Sequence, residues 1–107
     1  MDKQTDWALH DIAVERRRQI ERGYGPAHDA QHVHGEIAVA AGLIACDATD
    51  TADGFELASP GESWMDDLAA KVAAKYGDDR RRRLVIAGAM IVAEIERLDR
   101  AERLSGD

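Results

Sequence analysis

The chain has 107 residues, 21 acidic and 14 basic side chains for a formal charge of −7, and a single cysteine, Cys46. This is one domain's worth of protein with no internal disulfide, no cysteine zinc site and no apolar run near the ~20 residues of a bilayer span; its first six residues are too polar for a signal peptide, so a soluble, cytoplasmic chain is expected. The charge disfavours duplex DNA and anionic membrane, while 19 alanines and only five aromatics promise a thin core and, with it, self-association as a homo-oligomer.

In chain order, Thr5 or Asp6 is placed to cap a first helix over about 6–22, which Gly23-Tyr24-Gly25-Pro26 stops. Glycine suits a left-handed C-terminal residue, and proline cannot continue a helix. Ala8, Ile12, Glu15 and Gln19 share one line at helical spacing, and Leu9, Ala13, Arg16 and Ile20 the next. Glu15 and Gln19 therefore fall on or beside the apolar face. Asp29 reads as the N-cap of a second helix over about 30–48, with Ile37, Ala40, Ala41 and Ile44 as its core stripe.

The stretch 47–62, DATDTADGFELASPGE, has turn punctuation and no period, and reads as an acidic surface loop. Ser63 opens a third helix over 64–76 that buries Met65, Leu68, Val72 and Tyr76. After Gly77, Asp78 or Asp79 caps a last helix over 80–103 with Leu84, Ala87, Gly88, Ile91, Ile95 and Leu98 as its stripe. A glycine inside a helix costs about 1 kcal/mol relative to alanine, so Gly88 is expected at a close contact with the alanine-rich second helix. The pattern predicts an all-α, four-helix bundle-like single domain over 1–107.

Two joints carry the unusual chemistry. Between the first and second helices lies His28-Asp29-Ala30-Gln31-His32-Val33-His34-Gly35-Glu36, with three of the four histidines. If the helix starts at Asp29, His32 and Glu36 stand one turn apart on one face, next to Asp29. With Glu15 as a further arm, Asp29, His32 and Glu36 form a nitrogen and carboxylate set able to hold a divalent metal. The plainer alternative is a capping pair, His28 with Asp29, and an i,i+4 polar pair, His32 with Glu36.

At the second joint, Arg80, Arg81, Arg82 and Arg83 occupy the first turn of the last helix. Cations there oppose the helix dipole, whereas a phosphate would gain both guanidinium forks and unpaired amides. The alternative is neutralisation of nearby acids by a solvated run. Arg16-Arg17-Arg18 point in three directions and read as ordinary. Tyr24 and Trp64 are placed to stack on a base or to cover the core.

Glu15-Arg16-x-x-Gln19, Gly23-Tyr24 and His28-Asp29-x-x-His32-x-x-Gly35-Glu36-Ile37, closing with Leu84-Val85-x-Ala87-Gly88-Ala89-x-Ile91 and Glu94-Ile95-Glu96-Arg97-Leu98-Asp99, resemble a group of small phage and prophage helical proteins of unassigned function. The likeness covers roughly residues 9–44 and 81–100. That group is similar in outline to MazG-type all-α nucleoside triphosphate pyrophosphohydrolases, whose resemblance implies a helical oligomer with carboxylates on Mg²⁺. Here the Glu-Glu-x-x-Glu helix of those enzymes is reduced to Glu36 alone.

A bundle that keeps arginines and loses the metal cage is suited to hold phosphates without cleaving them. The expected function is non-enzymatic binding of a nucleotide or other phosphate-bearing small molecule, in a phage-type role such as sequestering a signal of host defence. One or more of Arg80–Arg83 would engage phosphate, Glu15, Gln19, His28, Asp29, His32 and Glu36 would orient base or ribose, and Tyr24 or Trp64 would stack. One rival is a Mg²⁺- or Mn²⁺-dependent nucleotide hydrolase using Glu15, Asp29, His32 and Glu36. The other is a structural or partner-binding helical protein.

Overall fold

The structure, a computed structural model, describes residues 2–45 and 63–106. The acidic stretch expected to be a loop lies outside the described residues, as do the side chains of Trp64 and Met65. The described chain is all-α, with no strand, and forms five helices: α1 (Lys3–Glu21), α2 (Pro26–Asp29), α3 (Glu36–Ala45), α4 (Ser63–Tyr76) and α5 (Arg80–Gly106).

Helix α1 starts earlier than expected because Asp2, not Thr5 or Asp6, is its cap: Asp2 Oδ1 accepts from the Thr5 amide at 2.9 Å. It ends as expected. Gly23 takes φ 101°, and the amides of Gly23 and Tyr24 turn back to the carbonyls of Ile20 and Gln19.

The helix expected over 30–48 begins only at Glu36, and a separate short helix, α2, precedes it. Pro26, in the first turn of α2, supplies its fixed φ where no amide is needed. Asp29 closes that turn and caps nothing; it is 2% exposed. After a turn through 30–35, Gly35 at φ 85° offers its carbonyl to the Val39 amide at 3.0 Å and α3 begins. The physical reason is tertiary: Arg16 holds Asp29 in the interior, and a left-handed residue that glycine alone takes cheaply re-aims the chain.

Helix α5, 27 residues long, is the spine. On one side Ile37, Ala40, Ala41 and Ile44 of α3 and Val72 of α4 pack with Ile86, Ala87, Met90 and Ala93 of α5; Leu68 and Tyr76 pack against this core. The stripe read for α3 holds, and so does the face of α4 where it is described.

The stripe read for α5 holds only at Ala87. Leu84, Ile91, Ile95 and Leu98 are 42–52% exposed, and the buried rows run through Val85, Ile86, Ala87, Ala89, Met90 and Ala93. Arg83 turns the helix this way, since it is 6% exposed and ties the carbonyls of Ile44 and Gly77. Gly88 does mark a close approach, but to α1: a Cβ there would lie 2.9 Å from Ile12 Cδ1. At that crossing α1 passes over α5, and every residue from 2 to 10 is exposed, so its N-terminal turns overhang.

Candidate functional site

The residues singled out in the sequence divide into two polar clusters, one on each flank of α1 where it crosses α5. The first is centred on Glu15, 1% exposed. Its carboxylate accepts from Arg18 Nε at 2.8 Å, Gln19 Nε2 at 3.1 Å and Arg82 Nη2 at 2.5 Å. Gln19 also donates to the Ile86 carbonyl at 3.3 Å. Burial opposes the charge on Glu15, but the hydrogen bonds of Arg18 and Gln19 and the charges of Arg82 and Arg18 together outweigh it, so its carboxyl is held below the usual range.

Asp79 is the cap that starts α5, its Oδ1 accepting from the Arg82 amide at 3.0 Å. Arg82 also lies over the Tyr76 ring, 5.6 Å from its centroid. Arg81 bridges to Asp11 at 2.8 Å across exposed surface. A cleft of about 360 Å³ opens here, lined by Asp11, Val14, Asp79, Arg81, Arg82 and Val85. Thus Arg81 and Arg82 face one cleft, Arg80 is exposed beside it, and Arg83 belongs to the interior, so the four arginines do not form one anion site.

The second cluster is centred on Asp29. Arg16 Nη2 donates to its Oδ2 at 2.9 Å, His28 Nδ1 lies 2.9 Å from Oδ1, and Arg100 Nη2 stands 4.0 Å from Oδ2. Arg16, itself 5% exposed, spends its other donors on Glu96 at 2.8 Å and the Tyr24 carbonyl at 2.8 Å. Nearby, Glu36 accepts from the His34 amide, and its Oε2 lies 3.3 Å from His32 Nδ1. Burial opposes the Glu36 charge, and the amides of Glu36 and His34 with the His32 contact more than compensate, lowering its pKa. Above these acids, Tyr24, His28 and His32 form a row with ring centroids 5.1 and 4.8 Å apart.

The expected metal set is not assembled. Glu15 is held by arginines in the first cluster, while Asp29 and Glu36 belong to the second, where Arg16 already neutralises Asp29. Among the described residues no three His, Cys, Asp or Glu side chains gather around a point that would hold a metal ion. No residue of the histidine joint lines the cleft at the arginine joint. Trp64 lies outside the described side chains.

Sequence reasoning read Arg16 and Arg18 as ordinary and did not foresee that Glu96 reaches Arg16 and Arg100 approaches Asp29. A signal was present for Arg16, an arginine on the line of Leu9, Ala13 and Ile20: a charge on an apolar line is buried only when paired. A comparison with known proteins finds no family model, no curated protein and no solved structure that matches the chain.

Proposed function

We propose that the chain binds a phosphate-bearing small molecule in the cleft between α1 and the start of α5 and does not turn it over. The observation that carries this reading is the cleft wall itself: Arg81 and Arg82 stand together at the N-terminus of α5, beside about 360 Å³ of open volume. That volume suits a small ligand, for which ~300–1,000 Å³ is usual. Guanidinium forks supply bidentate donors, and the helix end adds a partial positive charge.

Without a ligand, Asp11 holds Arg81 and Glu15 holds Arg82. The first bridge joins two exposed side chains and contributes about 0–1 kcal/mol, so a phosphate exchanges for Asp11 at little cost. Arg82 is aimed by Glu15 and by the Tyr76 ring. Support for a nucleotide as the phosphate bearer, and for a sequestering role against host defence, comes from the resemblance to phage proteins and to MazG-type enzymes. Support for binding without hydrolysis comes from the carboxylates: Glu15 and Asp29 are spent on arginines, and Glu36 on the His34 amide and His32.

A thermal-melt panel of nucleotides and inorganic phosphate, with and without EDTA, tests this. A ligand at 100 times its dissociation constant stabilises by about 2.7 kcal/mol; the shift is expected to survive EDTA and to vanish in Arg81→Ala, whose exposed side chain leaves the fold intact. No shift with any ligand overturns the proposal. A shift lost with EDTA, together with released phosphate or pyrophosphate, replaces it with a metal-dependent nucleotide hydrolase. A partner-binding role is the second reading, and the observation favouring it is the exposed apolar row Leu84, Ile91, Ile95 and Leu98.

A further inference from the structure

Leu84, Ile91, Ile95 and Leu98, with Gly88 between them, recur at spacings of four, three, four and three along one face of α5, and each of the four large side chains is 42–52% exposed. A 3–4 row of this kind is the seam that one helix presents to another. It runs 14 residues, about 21 Å. Isolated exposed leucines are ordinary; four in register over four turns are a surface.

The second observation is the overhang of α1. Its residues from 2 to 10 are all exposed, Leu9 at 51%, while Asp11, where the crossing starts, reaches Arg81; a helical segment that short has little stability by itself in water. Because Ile12 sits on Gly88, in the middle of the row, α1 borders the same face.

We infer that a second copy of this chain lies along that row, with its α5 antiparallel to the first and the two-fold axis passing at Ile91. Leu84, Ile91 and Leu98 are placed symmetrically about that point. Ile91 meets Ile91 of the partner subunit, and Leu84 meets Leu98 of the partner subunit. Charge decides the direction. The first turn of α5 is Arg80-Arg81-Arg82-Arg83, whereas Asp99 and Glu102 flank the far end of the row.

Antiparallel pairing sets exposed Arg80 against Glu102 of the partner subunit; parallel pairing would stack the arginine turns on each other, and like charges across an interface select against it. The row alone leaves on the order of 400 Å² of side chain in water per copy, about half of one partner's share in a stable interface, and the charged rim adds to it. An isologous dimer is the commonest closed assembly.

Sedimentation and cysteine cross-linking test this in a Cys46→Ser background. The chain is expected to run as a dimer at about 100 μM, and Ile91→Asp as a monomer with unchanged helical circular dichroism. On oxidation Ile91→Cys is expected to form a disulfide dimer. Leu84→Cys and Leu98→Cys are each expected to stay uncoupled alone and to couple when mixed.

Arg80→Glu is expected to weaken dimerisation about three- to tenfold, and adding Glu102→Arg to restore it. A chain that stays monomeric at that concentration overturns the inference. So does coupling of all three cysteine variants with themselves, which is the signature of parallel helices. Neither result bears on the ligand cleft, whose melt panel reads a different residue set.

Discussion

Removing Asp29 is the sharpest perturbation of the buried polar network. Asp29 is 2% exposed and Arg16 5%, so their bridge at 2.9 Å is almost dry. Truncating one partner of such a pair typically costs about 3–5 kcal/mol, because the other charge is left buried and uncompensated. In Asp29→Ala, Arg16 keeps Glu96 and the Tyr24 carbonyl, which places the expected loss near the lower end, about 3 kcal/mol.

A chain of this size has a total stability of about 5–15 kcal/mol, so the variant sits close to the edge of folding, with a melting temperature lower by roughly 12–24 °C. Asp29→Asn keeps the shape and a hydrogen bond, and is expected to lose about 1–2 kcal/mol. The double variant Arg16→Met with Asp29→Ala removes both charges together and is expected to be more stable than Asp29→Ala alone; with Arg16→Met it closes a cycle whose coupling is expected to be about 2 kcal/mol or more. Urea denaturation followed by circular dichroism measures all five proteins. A loss below about 1 kcal/mol in Asp29→Ala, or strict additivity in the cycle, refutes the account of Asp29 as the anchor of the α1–α2 joint.

Acid is expected to destabilise the chain through Glu15 and Glu36. Both carboxyls are held below their usual values in the folded state, so between the folded and unfolded values the unfolded chain binds more protons. Their contribution is complete above the ordinary glutamate range near ~4.3 and is lost as pH falls through the folded values. Urea midpoints taken from pH 7 downwards should therefore drop in that window, and Glu15→Gln should flatten the drop; a midpoint independent of pH there would contradict it. At the α1–α5 crossing, Gly88→Ala places its methyl against the mobile end of Ile12, so a helix gain of about 1 kcal/mol offsets the squeeze and the net change is small. Gly88→Leu overpacks the crossing and is expected to cost about 1–3 kcal/mol; a Leu variant as stable as the Ala variant would show that α1 does not pack there.

What was legible in the sequence was what local periodicity encodes. The α3 stripe, the Gly23 stop and the burial of Glu15 and Gln19 all follow from spacing and from the chemistry of glycine. The break between α2 and α3 was missed although Gly35 signalled it, because His32-Val33-His34 carries no breaker of its own and Asp29 is held by Arg16, 13 positions away. The buried side of α5 was misread for a related reason. Two rows of that helix are apolar, Leu84-Ile91-Ile95-Leu98 and Val85-Ile86-Ala89-Met90-Ala93, and a periodicity cannot say which of two rows meets α3.

The site divided in the same way: Arg82 and Glu15 were each visible, but their pairing joins positions 67 apart. No local rule states that an arginine at one helix start answers a glutamate in the middle of another.

That pairing also decides how the molecule comes apart. The buried residues of α1 are Glu15, Arg16 and Gln19, so apart from Ile12 over Gly88 its attachment to the spine is polar, whereas α3 and α4 hold α5 through aliphatic side chains. Hydrophobic burial keeps its strength when carboxylates are protonated; charge-assisted hydrogen bonds do not. Helix α1 is therefore expected to open as a sub-global unit ahead of the α3–α4–α5 core. Native-state hydrogen exchange should show the amides of 12–21 less protected than those of 86–93 at pH 7, with the gap widening as pH drops toward the range in which Glu15 titrates. Equal protection of the two segments at both pH values would mean that α1 and the core unfold as one unit, and that the polar crossing is as cohesive as the apolar one.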